Sequence, residues 1–265
     1  PPLVICLNVF RASKVVMYNP FSLTGKTILV TGASSGIGRA TALECARLGA
    51  TVVLNGRNVQ RLHETLQSLG TDKEHCVLAA DLSKEEEREG LISLLPSLDG
   101  FVCNAGVGKM LPVQFYSSEI LGEVFGVNVF APMLLLKSLV RKKKLKNPSS
   151  VVFTASISGY TNVAPANGVY GASKSALTAY MKYAALELAS KGVRCNSVHP
   201  GRILTPLIEN RLLTESDVAQ DMGQYPLKRY GKPEEVAYAI AYLLSDAAAW
   251  VTGTSLVIDG GRSLK

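Results

Sequence analysis

From Lys26 onward, short runs of β-branched and aliphatic residues alternate with longer stretches in which apolar positions recur every three or four residues. Runs such as Ile28-Leu29-Val30, Val52-Val53-Leu54 and Val151-Val152-Phe153 have no polar face, so they read as strands buried on both sides, the mark of a parallel sheet covered by helices. The pattern predicts strands over 27–31, 51–55, 76–80, 100–104, 150–155, 194–199 and 255–259. Helices are expected over roughly 36–48, 58–69, 84–95, 118–143, 169–190 and 233–245. The fold class is therefore α/β. No internal repeat is visible, and the stretch 202–232, with Pro206 and Pro226, reads as a long loop serving as a lid over a substrate.

At 265 residues and 47% hydrophobic, the chain is sized for one packed domain, taken as 17–265. The apolar segment 3–10 is broken by Asn8 and followed by Arg11 and Lys14, the wrong order for a secretory signal. Residues 1–16 are expected to be a peripheral extension, or Met17 the natural start. No uninterrupted apolar run is long enough to cross a bilayer, so no membrane span is expected. Five cysteines without a CxxC spacing point to a reducing, cytoplasmic setting, and His63, His75 and His199 lack any metal-ligand spacing, so no metal is expected. Much of the net charge of +7 lies in Arg141, Lys142, Lys143, Lys144 and Lys146. Without interleaved aromatics, that run reads as a solvated helix end and not as a nucleic-acid surface.

The first strand leads into Thr31-Gly32-Ala33-Ser34-Ser35-Gly36-Ile37-Gly38 and then a helix. Glycines there permit a tight turn and let backbone amides at the helix N-terminus approach a pyrophosphate. In dinucleotide folds a carboxylate at the end of the second strand accepts from the adenosine ribose, whereas an arginine accommodates a 2′-phosphate. Here that strand ends Asn55-Gly56-Arg57-Asn58, with no carboxylate, which favours NADP(H); Ser35 and Arg39 are further candidates for the phosphate. The other reading of Arg57 is a solvent-facing turn residue. Asp81 is placed either to accept from an adenine amino group or to cap the next helix with Ser83.

Tyr170 and Lys174 are four apart in a predicted helix and share a face. An ammonium near a phenol favours the phenolate, and lowering a tyrosine pKa by about three units requires roughly 4 kcal/mol of differential stabilisation. Such a group exchanges a proton with an alcohol or carbonyl near neutral pH.

Taken in order, Asn104-Ala105-Gly106 after the fourth strand, Asn128, Ser156, Tyr170 with Lys174, Pro200-Gly201 after the sixth strand and the late Val257-Ile258-Asp259-Gly260-Gly261 make the chain from Lys26 to Gly261 resemble the short-chain dehydrogenase/reductase family. The resemblance implies a single doubly wound Rossmann-type domain with a seven-stranded parallel sheet, binding a nicotinamide cofactor to interconvert a ketone and a secondary alcohol. By that resemblance Tyr170 is the acid/base, Lys174 the residue that holds the nicotinamide ribose and lowers the tyrosine pKa, Ser156 the donor to the substrate oxygen, and Asn128 the holder of a water in the proton relay. The cofactor contacts expected are Gly32, Ser34, Ser35, Gly36, Ile37, Gly38, Arg57, Asp81, Leu82, Asn104, Ala105, Gly106, Tyr170, Lys174, Pro200, Gly201, Ile203 and Thr205. This sequence departs from the family pattern in having Ala155-Ser156 where a Ser-Ser pair is usual, with Ser158 as the lesser candidate, and in one extra residue between Ser156 and Tyr170.

The substrate expected is a 3-oxoacyl thioester or a carbonyl compound of similar size, with a sugar derivative or steroid as alternatives; the rival of another class is a non-catalytic nucleotide-binding regulator. Ile203, Leu204, Leu207, Ile208, Leu212, Leu213 and Met222 are candidates for one wall, and Met110, Leu111, Phe115 and Tyr116 for the other. Lys137 and the basic run are candidates to attract an acidic carrier protein. A homodimer or homotetramer through the helices 118–143 and 169–190 is the expected assembly.

Overall fold

The computed structural model describes residues 18–71, 73–205 and 215–265. Residues 1–17, and with them the expected N-terminal extension, lie outside that set, as do Leu207, Ile208, Leu212 and Leu213 of the expected lid.

Seven parallel strands form one sheet in the order β3-β2-β1-β4-β5-β6-β7. They are β1 (Thr27–Thr31), β2 (Thr51–Gly56), β3 (Cys76–Ala79), β4 (Leu98–Cys103), β5 (Leu145–Thr154), β6 (Val193–Pro200) and β7 (Ser255–Ile258). The helices are α1 (Gly36–Arg47), α2 (Val59–Gln67), α3 (Glu85–Leu94), α4 (Ser118–Phe125), α5 (Ala131–Arg141), α6 (Gly168–Leu188), α7 (Glu215–Gly223) and α8 (Pro233–Leu244). The apolar strands alternate their side chains between two cores, so each is buried on both faces. Leu29 and Phe101 pack with Leu91 of α3, Leu135 and Leu139 of α5 and Leu177 and Met181 of α6. Ile28, Val30 and Val152 pack with Ala42 of α1, Leu62 of α2 and Ile240 and Leu244 of α8. Strand order reverses between β1 and β4, the switch point where ligands bind outside the carboxyl ends of the strands.

Four differences from the sequence pattern bear on the site. The expected helix over 118–143 is two α-helices joined by a π turn, Gly126–Phe130, with Asn128 inside it. Pro132 has no N–H, so the Asn128 carbonyl, its i−4 acceptor, has no α-helical donor. Second, β5 begins at Leu145, paired with Leu98, so the basic run is not a simple solvated helix end. Lys142 pairs with Glu89 at 2.6 Å, Lys146 with Asp99 at 2.7 Å, and Lys144 donates to the Leu95 carbonyl. Third, α7 stands inside the expected lid, whose ends are tied together by Leu204 N–H to Gly231 O at 2.9 Å and Gly231 N–H to Arg202 O at 3.0 Å. Fourth, the continuous helix Ser118–Arg141, 24 residues containing an 18-residue stretch of mean hydropathy 1.6, is long and apolar enough to cross a membrane, although no uninterrupted apolar run is. Its Val124, Val129, Leu135, Leu136 and Leu139 are instead buried in the protein.

Candidate active site

A cleft of about 770 Å³ runs along the carboxyl ends of β1, β2, β4, β5 and β6. Its floor on one side is the glycine turn. Gly36 has φ +53°, in the left-handed region that favours glycine, and a Cβ there would stand 3.1 Å from Thr205 Cγ2. Gly38 does not line the cleft: a Cβ on it would strike the Gly32 carbonyl at 2.2 Å, so its smallness serves to seat α1 against the turn.

The turn fits a pyrophosphate. Ser35, the N-cap of α1, makes no side-chain capping bond, and the first turn of α1 holds no acidic residue. Amides at that N-terminus, beside Ser34, Ser35, Gly36 and Ile37 in the cleft wall, are thus left for an anionic ligand. Opposite, Asn104 ties β4 to the turn: its N–H donates to Thr31 Oγ1 at 3.0 Å and its Nδ2 to the Thr31 carbonyl at 3.1 Å.

At the β2 end the cleft is lined by Gly56, Arg57, Asn58, Asp81, Leu82 and Ser83, and by a residue the sequence reading passed over, Arg61. Arg61 sits in the first turn of α2, whose N-cap Asn58 accepts its N–H at 2.9 Å. Arg39 is not in the cleft wall; its guanidinium reaches Ser68 at 3.4 Å. Arg57 stands 3.9 Å from Asp81, and Asp81 also accepts from the Ser83 amide and hydroxyl, which orders the turn before α3; Asp81 lines the cleft and does not cap that helix, whose N-cap is Lys84. Those hydrogen bonds and the nearby Arg57 hold its carboxyl below the usual range despite partial burial, which acts the other way.

At the β5 end Ser156, Tyr170 and Lys174 converge on the cleft with Thr154, Pro200, Gly201 and Ile203. Ser156 is buried, and its Oγ accepts the Ser158 N–H at 3.1 Å, which leaves the hydroxyl proton to donate elsewhere. Ser158 is outside the cleft wall and its hydroxyl accepts from Asn167 at 3.0 Å. Lys174, buried in α6, has its ammonium 5.8 Å from the Tyr170 ring centre and donates to the Thr154 carbonyl at 2.8 Å. Burial pushes its pKa down to about 8. Asn128 is buried behind this group and does not line the cleft. Its amide is bound to both backbone atoms of Val107, at 2.8 and 2.9 Å, and to Ser173 Oγ at 2.9 Å, so the side chain anchors the segment after β4, and its backbone carbonyl lacks the α-helical donor that Pro132 cannot supply.

Met110, Leu111, Phe115 and Tyr116 stand beyond the cleft wall, on the segment leaving β4. That segment passes the acid/base candidate closely: a Cβ on Gly108 would lie 3.7 Å from the Tyr170 ring. It is also bound to the chain before α6 through Leu111 N–H to Ala166 O at 2.7 Å. Met110, Val113 and Phe115 are all more than half exposed.

Residues 32–263 match the family model described as Enoyl-(Acyl carrier protein) reductase. Among curated relatives, the chain is 35% identical over 241 residues to a 3-oxoacyl-(acyl-carrier-protein) reductase FabG of Rickettsia prowazekii, covering 90% of this chain and 97% of the relative. It is 36% identical over 258 residues to a cyclohexanol dehydrogenase of Acinetobacter sp., covering 94% and 99% respectively. Among solved structures, one from Agrobacterium tumefaciens with bound NADP, provisionally assigned as a 2-deoxy-d-gluconate 3-dehydrogenase, matches with a TM-score of 0.85 and 29% identity over 94% of this chain and all of that one.

Proposed function

Since this chain belongs to the short-chain dehydrogenase/reductase family, whose members are oxidoreductases of alcohol and ketone groups, we propose that it is an NADP(H)-dependent reductase of an apolar ketone, a 3-oxoacyl thioester foremost. The observation that carries the reaction class is the convergence of Ser156, Tyr170 and Lys174 at one end of a cleft whose other end is an uncapped helix N-terminus beside two arginines. The nicotinamide cofactor, when bound, supplies hydride to the carbonyl carbon or takes it back from the alcohol. The chain's own residues manage the oxygen. Ser156 donates its hydroxyl proton in a hydrogen bond to the substrate oxygen, and Tyr170 gives up its phenolic proton to that same atom. Lys174, charged at neutral pH, steadies the resulting phenolate electrostatically. A water on the Asn128 carbonyl is the route by which the proton is replaced. The amides at the N-terminus of α1 hold the pyrophosphate, while Thr205 and Ile203 border the nicotinamide end.

Apolar, exposed Met110, Val113 and Phe115 on the segment beside Tyr170 favour an acyl or alicyclic ketone over a polyol, which would call for hydrogen-bonding side chains there. With Lys142, Lys144 and Lys146 tied down, Lys137, Arg141 and Lys143 are the cations of that set left to attract an acidic carrier. Exposed Leu121 on α4, Phe130 in the π turn and Leu134 on α5, with Tyr183 and Leu186 on α6, support a homodimer or homotetramer through those helices, and sedimentation at micromolar concentration as a monomer would remove it. The free cysteines Cys45, Cys76, Cys103 and Cys195 accord with a cytoplasmic setting.

NADPH absorbance with acetoacetyl-coenzyme A, cyclic ketones and aldoses tests the activity. Turnover of the first is expected; cofactor binding with no turnover across the panel would favour the regulator instead. For the cofactor, Arg57→Ala is expected to weaken NADPH about tenfold and to leave NADH nearly unchanged, because Arg61 shares the 2′-phosphate. The Arg57→Ala, Arg61→Ala double variant is expected to lose about a hundredfold. Gly56→Asp has room, its Cβ meeting Leu62 at 3.4 Å, and places a repelling carboxylate there. Equal NADH and NADPH affinity in the unaltered protein, by fluorescence titration, would refute the preference.

A further inference from the structure

A buried histidine that takes no part in the proton transfer stands directly behind Ser156. His199 is fully buried near the end of β6. Its Nδ1 lies 2.9 Å from the backbone carbonyl of Ser156, which can only accept. In the neutral ring Nδ1 therefore carries the proton, and Nε2 accepts from Ser197 Oγ at 2.9 Å. Ser197 Oγ is in turn 3.2 Å from Ser255 Oγ, so a directed chain runs from β7 through β6 to the backbone of Ser156. Burial holds the imidazole below its ordinary pKa, outweighing the Ser156 hydrogen bond, and so keeps it neutral. The ring face is covered by Tyr160, centroids 4.3 Å apart, from the loop that leads on to α6 and Tyr170. Ser156 lies past the end of β5; the Ala155 and Ile157 amides on either side still donate to the Val198 and Pro200 carbonyls of β6, at 2.9 and 3.2 Å, and the Ser156 carbonyl itself is taken by the histidine.

We propose that His199 is a positioning residue for the reaction: by donating from Nδ1 to the Ser156 carbonyl, braced by Ser197 and Tyr160, it sets where the Ser156 hydroxyl meets the substrate oxygen. The inference rests on the role of Ser156 given above. A hydroxyl displaced by about an ångström costs on the order of a hundredfold in rate. His199 acts through Ser156 alone, so its loss matters only while that hydroxyl is present.

The test measures kcat, KM and NADPH affinity for Ser156→Ala, His199→Leu, His199→Asn and the Ser156→Ala, His199→Leu double variant, with acetoacetyl-coenzyme A. Leucine removes both ring hydrogen bonds, whereas the asparagine amide can still donate from near the Nδ1 position. His199→Leu is expected to lower kcat by about thirty- to a hundredfold with little change in NADPH affinity, and His199→Asn to recover most of it. In the Ser156→Ala background His199→Leu is expected to cost almost nothing more. Multiplicative losses in the double variant, or a parallel fall in NADPH affinity, would mean a merely structural histidine and overturn the inference. Should the leucine variant fail to fold, His199→Gln, which keeps only the Nε2 side, is set against His199→Asn, and equal kcat in the two overturns it. Full activity in Ser156→Ala sinks the role of Ser156 itself, a result distinct from an inactive Ser156→Ala beside an unimpaired His199→Leu.

Discussion

Tyr170→Phe is expected to lower kcat by about a hundred- to ten-thousandfold, the range for losing a positioned general acid, and to leave NADPH affinity unchanged. The substitution removes one hydroxyl and keeps the ring that packs beside Gly108 and Lys174. Because the phenolic proton moves only as charge develops on the substrate oxygen, kcat and kcat/KM are expected to fall together. Steady-state kinetics with a separate NADPH titration decides it. Retention of more than about a tenth of the rate would mean that another group supplies the proton.

Lys174→Met is expected to do two opposite things: abolish most turnover and raise the melting temperature. The lysine is buried with its pKa at about 8, below the ordinary 10.5. Between those values the unfolded chain binds more protons than the folded one, so this group's contribution makes stability rise with pH from about 8 to 10.5. Below pH 8 the buried charge is a standing cost of about 3 kcal/mol. Methionine fills similar space without charge and forgoes a hydrogen bond to Thr154 worth about 1 kcal/mol, leaving a net gain near 2 kcal/mol, or roughly 4–8 °C. A fall in melting temperature at pH 7 would show that the charge is better paired than the geometry indicates. The same shift gives the pH profile its sign: carbonyl reduction by the unaltered protein is expected to decline as pH rises through about 8, where Lys174 loses its charge.

That cationic partnership was legible before any coordinates. A tyrosine and a lysine four apart face the same way on any helix, so local geometry alone brings them together. The glycine turn, the absence of a carboxylate after β2 and all seven strands were legible for the same kind of reason, since buried parallel strands announce themselves by unbroken apolar runs. The π turn was hidden because the apolar pattern continues through it; its one local trace is Pro132, four residues after Asn128. α7 was hidden because a short polar helix carries little periodic signal.

What the chain could not disclose by itself is which of several equivalent residues arrives where. Arg39 and Arg61 look alike in sequence, yet α1 aims the first at Ser68 and α2 sets the second in the cleft. The basic run had the look of free charge until α3 packed on α5 and β5 paired with β4, bringing Glu89 and Asp99 within reach. His199 read as a solitary histidine, and only the juxtaposition of β5 and β6 put its Nδ1 on Ser156, 43 residues earlier. Periodicity and spacing determined the sheet, its helices and the Tyr170–Lys174 pair because those depend on neighbours within a turn or a strand. The tertiary structure decided the cleft wall, the fate of the charges and the partner of the buried histidine, because each depends on distant segments packing together.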